Sequence, residues 1–441
     1  MGGMIPIKLK ESKEKITPFG GAIVLSELLK SLGIRDYIDK NLPLPKSNAG
    51  LLPSSKIIPV LLSMILGGRG YSDVDKLKSD KALCEIFNLK VVPDSTTIGR
   101  FFKEYSGESL SVANSTSIKA IGTLLSTIAI KSLKHLNKKE VTLDIDATYM
   151  QVYNEEAKIC YKGFKSYSSL CCFVSDIGYC IDEEFREGNI SAVTGILSQL
   201  KRASDKLSLS GIKVSGFRSD SAAYQADIIN YCNSAGIEFY IGADKDISIL
   251  NGIANISEDS WRPYKDRYGS LVDNEEVSEF IHSMNKSKES FRVVVLKKKL
   301  IKPSLSIPEL LGDNYVYKAI ATNSTKSAEE VVHFYNKRGE CEYYIKEAKY
   351  GFDLNHLPSG SLGANGLWFK VGMLAYNLII FLKNNILQSD FVNRQVKSIR
   401  YLILSIGGKL ISHGRQIILK LCCDLGMLKR IQFWRNECLK I

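Results

Sequence analysis

Histidine is scarce in this chain, five residues in 441, and no two of them stand one helical turn apart. No Cys-x-x-Cys pair occurs among the ten cysteines, and the doublets Cys171-Cys172 and Cys422-Cys423 suit neither a zinc knuckle nor an ordered disulfide framework. These absences argue against structural zinc and against an extracellular disulfide scaffold; a reduced protein with buried thiols is expected. Long apolar runs are also missing. Ile57–Leu66 and Val371–Leu382 are too short for a bilayer and carry Ser63 and Asn377, so both are expected as buried helices, with no membrane partner. Met1–Thr17 is polar and lysine-rich, with no apolar stretch to make a secretory signal, so a cytoplasmic protein is expected. With only 11 prolines and no low-complexity segment, a linker-dominated chain is excluded.

What is present is an ordinary globular balance, 45% hydrophobic and 24% charged, with enough length for two to four domains. The formal charge of +12 points towards a polyanion. It is unevenly spread. Residues 1–140 carry 21 basic and 13 acidic side chains, 141–365 carry 26 and 31, and 366–441 carry 12 and 3. Basic flanks thus enclose an acidic centre.

The first 139 residues read as a mainly helical domain, with apolar residues at helical spacing in Ala22–Leu32, Ser55–Leu66 and Ser117–Leu136. Asp94-Ser95-Thr96-Thr97 supplies capping residues before a short segment bearing Arg100, Phe101, Phe102 and Lys103. Such a helix suits either a DNA-recognition element or an ordinary packed helix. From residue 140 the period changes. Val141–Met150 alternates like a strand, with Asp144, Asp146 and Thr148 on one face. Ser168–Val174 and Gly178–Glu183 read as further strands, Ser191–Leu207 as a helix, Lys213–Arg218 as a strand, Tyr224–Asn233 as a helix and Glu238–Gly242 as a strand. Three strands, helix, strand, helix, strand is the order of a ribonuclease-H-like α/β core, expected over 140–244 and 323–365. Residues 245–322, with strands at Phe291–Lys297 and Tyr315–Thr322, read as a β-rich insertion. A capped helix is expected over Ser327–Ala348, and 366–441 forms a basic C-terminal region with a hairpin around Ser412-His413-Gly414-Arg415.

Three carboxylates stand out by placement: Asp146 within the first core strand, Asp220 after the fourth, and Glu342 on the late helix. In such a sheet the first and fourth strands are neighbours. Converging carboxylates are ligands that Mg²⁺ prefers, and they suit metal-assisted phosphoryl transfer. Asp144 is a rival to Asp146 on the same face.

The segment around Glu342 reads Tyr335-x2-Arg338-x3-Glu342-x6-Lys349. It resembles the third-motif signature of bacterial insertion-sequence transposases of the DDE class, the YREK group. Leu143–Thr148 resembles the first-Asp strand of that family, which favours Asp146 over Asp144. Phe185–Asn189 resembles its Arg-x-Gly-Asn turn, and Arg218–Tyr224 its second-Asp motif, with Ala222 where Gly is frequent. Asn365 and Ala375–Leu378 are similar to its post-catalytic helix.

The resemblance implies cut-and-paste DNA transposition. Asp146, Asp220 and Glu342 would hold two Mg²⁺, with Mn²⁺ as a substitute. Double-stranded DNA would be the partner, as terminal inverted repeats and target, bound by a homodimer in a synaptic complex near the bacterial nucleoid. Tyr335, Arg338 and Lys349 would contact the cleaved end as one helical stripe, and Arg100, Lys103 and Arg415 would contact DNA elsewhere. The basic tail, with Lys409, Lys420, Lys429, Arg430 and Arg435 among Tyr401, Phe433 and Trp434, suits phosphate tracking or a solvated face. Two alternatives are a decayed or repurposed DNA-binding protein and a metal-dependent nuclease that does not join strands.

Overall fold

The computed structural model describes residues 7–45, 47, 50–105, 115–300, 314–387 and 389–441. The chain divides into two compact units, one of residues 1–101 and 386–441, the other of 102–385. The chain enters the first through β1 (Ile16–Thr17) and helices α1 (Ile23–Ser31), α2 (Ile34–Asn41), α3 (Ser54–Leu66), α4 (Asp73–Ser79) and α5 (Lys81–Ile86). Gly67 ends α3 at φ 102°, a conformation that side-chain-bearing residues avoid. α6 (Ser95–Tyr105) opens where the Asp94 carboxylate accepts the Thr97 backbone N–H at 2.7 Å and the Thr96 hydroxyl at 2.8 Å. Its Ile98, Phe101 and Phe102 are buried, and Arg100 and Lys103 are exposed.

The larger unit is built on one sheet. α7 (Thr116–His135), which its helical period places in the N-terminal domain, belongs to this unit. β2 (Glu140–Gln151), β4 (Lys165–Val174) and β5 (Tyr179–Glu187) form an antiparallel meander, and the short β3 (Lys158–Ile159) shares an edge of β4 with β5. After α8 (Ile196–Ser208), β6 (Lys213–Ser219) runs parallel to β2. After α9 (Ala226–Ala235), β7 (Glu238–Gly242) runs parallel to β6. Residues 245–322 supply α10 (Ile247–Ala254) and strands β8 (Arg262–Lys265), β9 (Leu271–His282), β10 (Phe291–Lys299) and β11 (Tyr315–Thr322). They do not form a separate layer. β11 pairs antiparallel with β7, and the sheet continues through β10, β9 and β8.

Helix follows the insertion as two pieces, α11 (Ala328–Asn336) and α12 (Gly339–Gly351), where the sequence period suggests one. Ser327 caps α11 with the full Ser–Glu330 capping box. Between the pieces the backbone tightens: Arg338 N–H bonds to Tyr335 O, Glu340 to Lys337 O and Cys341 to Arg338 O, all at i→i+3. α13 (Leu362–Phe381) is apolar on every side and packs with α7 against β5. With its continuation to Ile386 it is long and apolar enough to cross a membrane, but it is wholly buried inside the protein, as a core helix is.

The chain then completes the first unit with α14 (Val396–Ile399), a one-turn π-helical extension, the hairpin β12 (Gly408–His413) and β13 (Gln416–Leu421), and α15 (Leu425–Cys438). Gly414 and Arg415 form the hairpin turn with φ 57° and 64°. β12 also pairs with β1, so the two ends of the chain share a sheet. Trp434 is core, edge-on to Phe391 at 5.6 Å, and Arg430 and Arg435 are ion-paired with Asp390 and Glu27. Trp434, Arg430 and Arg435 of the basic tail thus have partners within this unit. The charge separates by unit: 25 basic and 13 acidic residues in the first, 34 and 34 in the second.

Candidate active site

β2 and β6 lie side by side with Ile145 opposite Ser219, so the next residues, Asp146 and Asp220, come together where β6 ends. Both line a cleft of about 220 Å³. Asp146 Oδ1 accepts the Ala147 N–H at 2.8 Å, and Asp220 Oδ1 accepts the Ala222 N–H at 3.1 Å, starting a turn of 3₁₀ helix. Burial, then the nearby Asp220 charge, pushes the Asp146 carboxyl up to about 7, against the opposing pull of Arg338. A carboxylate pair of this kind gains from an added cation.

Arg338 supplies one positive charge already. Its Nη2 donates to Glu342 Oε1 at 2.7 Å, and its Nη1 stands 3.7 Å from Asp146 Oδ2. Glu342 is mostly exposed and is joined to Asp146 through this guanidinium. Burial disfavours the Arg338 charge, but Tyr335, Asp146, Glu342 and Asp220 together raise its pKa. Among the described residues no three His, Cys, Asp or Glu side chains are grouped to hold a metal ion. Carboxylate oxygens are donors of the kind Mg²⁺ selects; Asp146 and Asp220 share the cleft, and Glu342 is turned to Arg338.

The remaining signature residues do not form one stripe, because the tightened backbone after Tyr335 changes the helical phase. Tyr335 is buried with Tyr240, Val277, Ile320 and Val332, and its hydroxyl faces Arg338 and Gly242. Lys349 lines the cleft, donating to Tyr149 O at 2.8 Å and Thr148 Oγ1 at 3.2 Å, and so ties the end of α12 to β2. Arg100, Lys103 and Arg415 are exposed and do not line the cleft.

Asp144 has a different task. It is fully buried in a bidentate pair with Arg218, both contacts at 2.8 Å. Arg218 also donates to Phe334 O at 2.9 Å and to Ser175, which joins β2, β6 and α11. Sequence reading did not single out Tyr149, Tyr161 and Lys162, which line the cleft beside the aspartates. Alternation along β2 puts Tyr149 on the face opposite Asp146, and Tyr161 and Lys162 arrive on a loop with no periodic signal.

A mixed α/β sheet with paired aspartates at the end of a parallel strand defines the class: an α/β protein with a carboxylate site beside its strand ends. Residues 3–431 match the family described as transposase DDE domain, group 1, and the chain belongs to that family. No curated protein is similar to it in sequence. Among solved structures, it is similar to a piggyBac transposase in a synaptic complex with hairpin DNA, determined by cryo-EM. The TM-score is 0.45 and the identity 10%, over 87% of this chain and 79% of that one.

Proposed function

We propose that this chain is a cut-and-paste DNA transposase of a bacterial insertion sequence, of the YREK group, built on a ribonuclease-H-like core. The observation that carries the reading is Asp146 and Asp220 on adjacent strands in one cleft, with Glu342 linked to Asp146 through Arg338. The order β5-β4-β2-β6-β7, with three antiparallel strands followed by two parallel ones, supports the core assignment. Membership of a transposase family supports double-stranded DNA as the partner.

Asp146 and Asp220 would hold Mg²⁺, or Mn²⁺ in its place, and Glu342 would complete a two-ion set once its bond to Arg338 opens. When bound, the ions activate a water or 3′-hydroxyl and offset charge on the leaving oxygen. The protein's own contribution is positional. Arg338, once freed from Glu342, is placed to grip a phosphate beside Asp146. Lys349 holds α12 against β2 and leaves one further ammonium proton for the substrate. The terminal inverted repeats and the target would be held by a homodimer.

The test is cleavage of a plasmid carrying the element's ends in Mg²⁺. Asp146→Ala, Asp220→Ala and Glu342→Ala should each abolish cleavage while end binding persists. Near-normal cleavage by any one of them removes that residue from the set.

A further inference from the structure

Between α11 and α12 one carbonyl has lost its helical donor, and a buried arginine outside the cleft supplies another. In a continuous helix Phe334 O would accept the Arg338 N–H. Here that N–H bonds to Tyr335 O at 2.8 Å, and Phe334 O accepts from Arg218 Nη1 at 2.9 Å. Packing of Tyr335 places the tight turn, but it brings no donor for the carbonyl that the turn frees. A carbonyl withdrawn from water and left without a donor is costly, so the turn depends on the Arg218 bond.

The guanidinium is fixed in this direction. Asp144 takes Nε and Nη2, Ser175 takes Nη2 as well, and the rigid fork leaves Nη1 aimed at Phe334 O. The Phe334 ring centroid lies 5.0 Å from the guanidinium carbon and 4.4 Å from that of Tyr240, so backbone and ring hold α11 at one residue. The bidentate pair with Asp144 is complete without the bond to Phe334 O, so pairing alone does not account for it. Four residues beyond Phe334, Arg338 Nη1 stands 3.7 Å from Asp146 Oδ2, and Glu342 follows one helical turn later. β2 therefore holds this segment at both ends, through Asp144 at the freed carbonyl and through Asp146 at Arg338.

We infer that Arg218 is a positioning residue for end cleavage: locked by Asp144, it takes the carbonyl freed between α11 and α12 and so keeps Arg338 beside Asp146. The inference rests on the transposase reading above and adds to it a residue that acts on the site from outside the cleft. Arg218 itself touches no reacting atom. Its effect passes along the backbone from Phe334 to Arg338.

The test uses the full chain and compares single-turnover cleavage of the element's ends at saturating DNA in Mg²⁺, end binding in Ca²⁺, and thermal melting. Arg218→Lys keeps a charge for Asp144 but presents one nitrogen in place of the fork. It should bind ends as wild type does and cleave them about 100-fold more slowly, the loss that a misplacement of about 1 Å brings. Deuterium exchange over residues 334–342 should quicken in this variant while α13 exchanges as in wild type. Arg218→Met strands the Asp144 charge and should melt low. Adding Asp144→Val should recover most of the melting temperature and none of the cleavage, whereas a purely structural pair would recover both together. Wild-type exchange over 334–342 in Arg218→Lys, or wild-type cleavage by Arg218→Lys or by the double variant, overturns the inference and leaves the transposase reading standing. Should the double variant not fold, Arg218→Lys decides alone. A wild-type chain that neither binds nor cleaves DNA overturns the transposase reading and this inference with it.

Discussion

Asp144 and Asp146 lie two residues apart on one face of β2, and their surroundings send them to opposite tasks. Asp144 has a guanidinium to itself; Asp146 faces a second carboxylate and shares Arg338 with Glu342. Removing one partner of a buried pair strands the other charge, so Asp144→Ala should cost about 3–5 kcal/mol of stability, read as a lowered denaturation midpoint. For Asp146 the sign is reversed. Its pKa is raised from 3.8 to about 7, so the folded protein holds that proton after the unfolded chain has released it. Stability therefore falls as pH rises from about 4 to 7, by a few kcal/mol at most. Without divalent metal, Asp146→Asn should melt above wild type at pH 8 and level with it at pH 4. Equal melting at both values would place no such strain on Asp146.

Elements set these residues in place by close approach. A Cβ on Gly242 would lie 2.7 Å from the Tyr335 hydroxyl and 3.3 Å from the Ser221 nitrogen. Gly242→Ala should cost about 1–3 kcal/mol and slow cleavage through Tyr335 and Arg338, and adding Tyr335→Phe should recover part of the stability. Urea melts of the two single variants and the double variant measure this. Much of this layer was legible in the sequence. Alternation marked β2 and β10, the sequence also reads as strand over β6, β7 and β11, Ser327 and Glu330 marked the start of α11, and Ser412-His413-Gly414-Arg415 marked the final hairpin. What escaped depends on contacts distant in sequence. The pattern of α11 and α12 is helical throughout, and only packing of Tyr335 against β7 and β11 fixes where the backbone tightens. Pairing of β11 with β7 is likewise invisible in either strand alone. Asp144 and Asp146 share one period, so alternation cannot tell a buried pair from an open site; the partner Arg218 does that, from 74 residues away.

In the whole molecule, the charge that drew attention first has a sharper address. The excess of +12 belongs entirely to the unit made from the two chain ends, and the sheet unit is balanced. That unit carries Arg415 at a hairpin tip and Lys420 along the same hairpin, both exposed. If this hairpin tracks phosphates, Arg415→Glu and Lys420→Glu should each lower the slope of log K against log salt by about one and leave sequence preference unchanged. An unchanged slope in both would place the DNA path elsewhere on the protein.

Strand transfer tests the carboxylate cleft most directly. The reaction joins a precut, labelled 3′-hydroxyl end of the element to a target plasmid in Mg²⁺, with wild type and Asp220→Asn compared. Wild type should join the end and Asp220→Asn should fail to do so while still binding it. Joining by Asp220→Asn at the wild-type rate, or cleavage by wild type with no joining at all, would contradict a transposase working through Asp146 and Asp220.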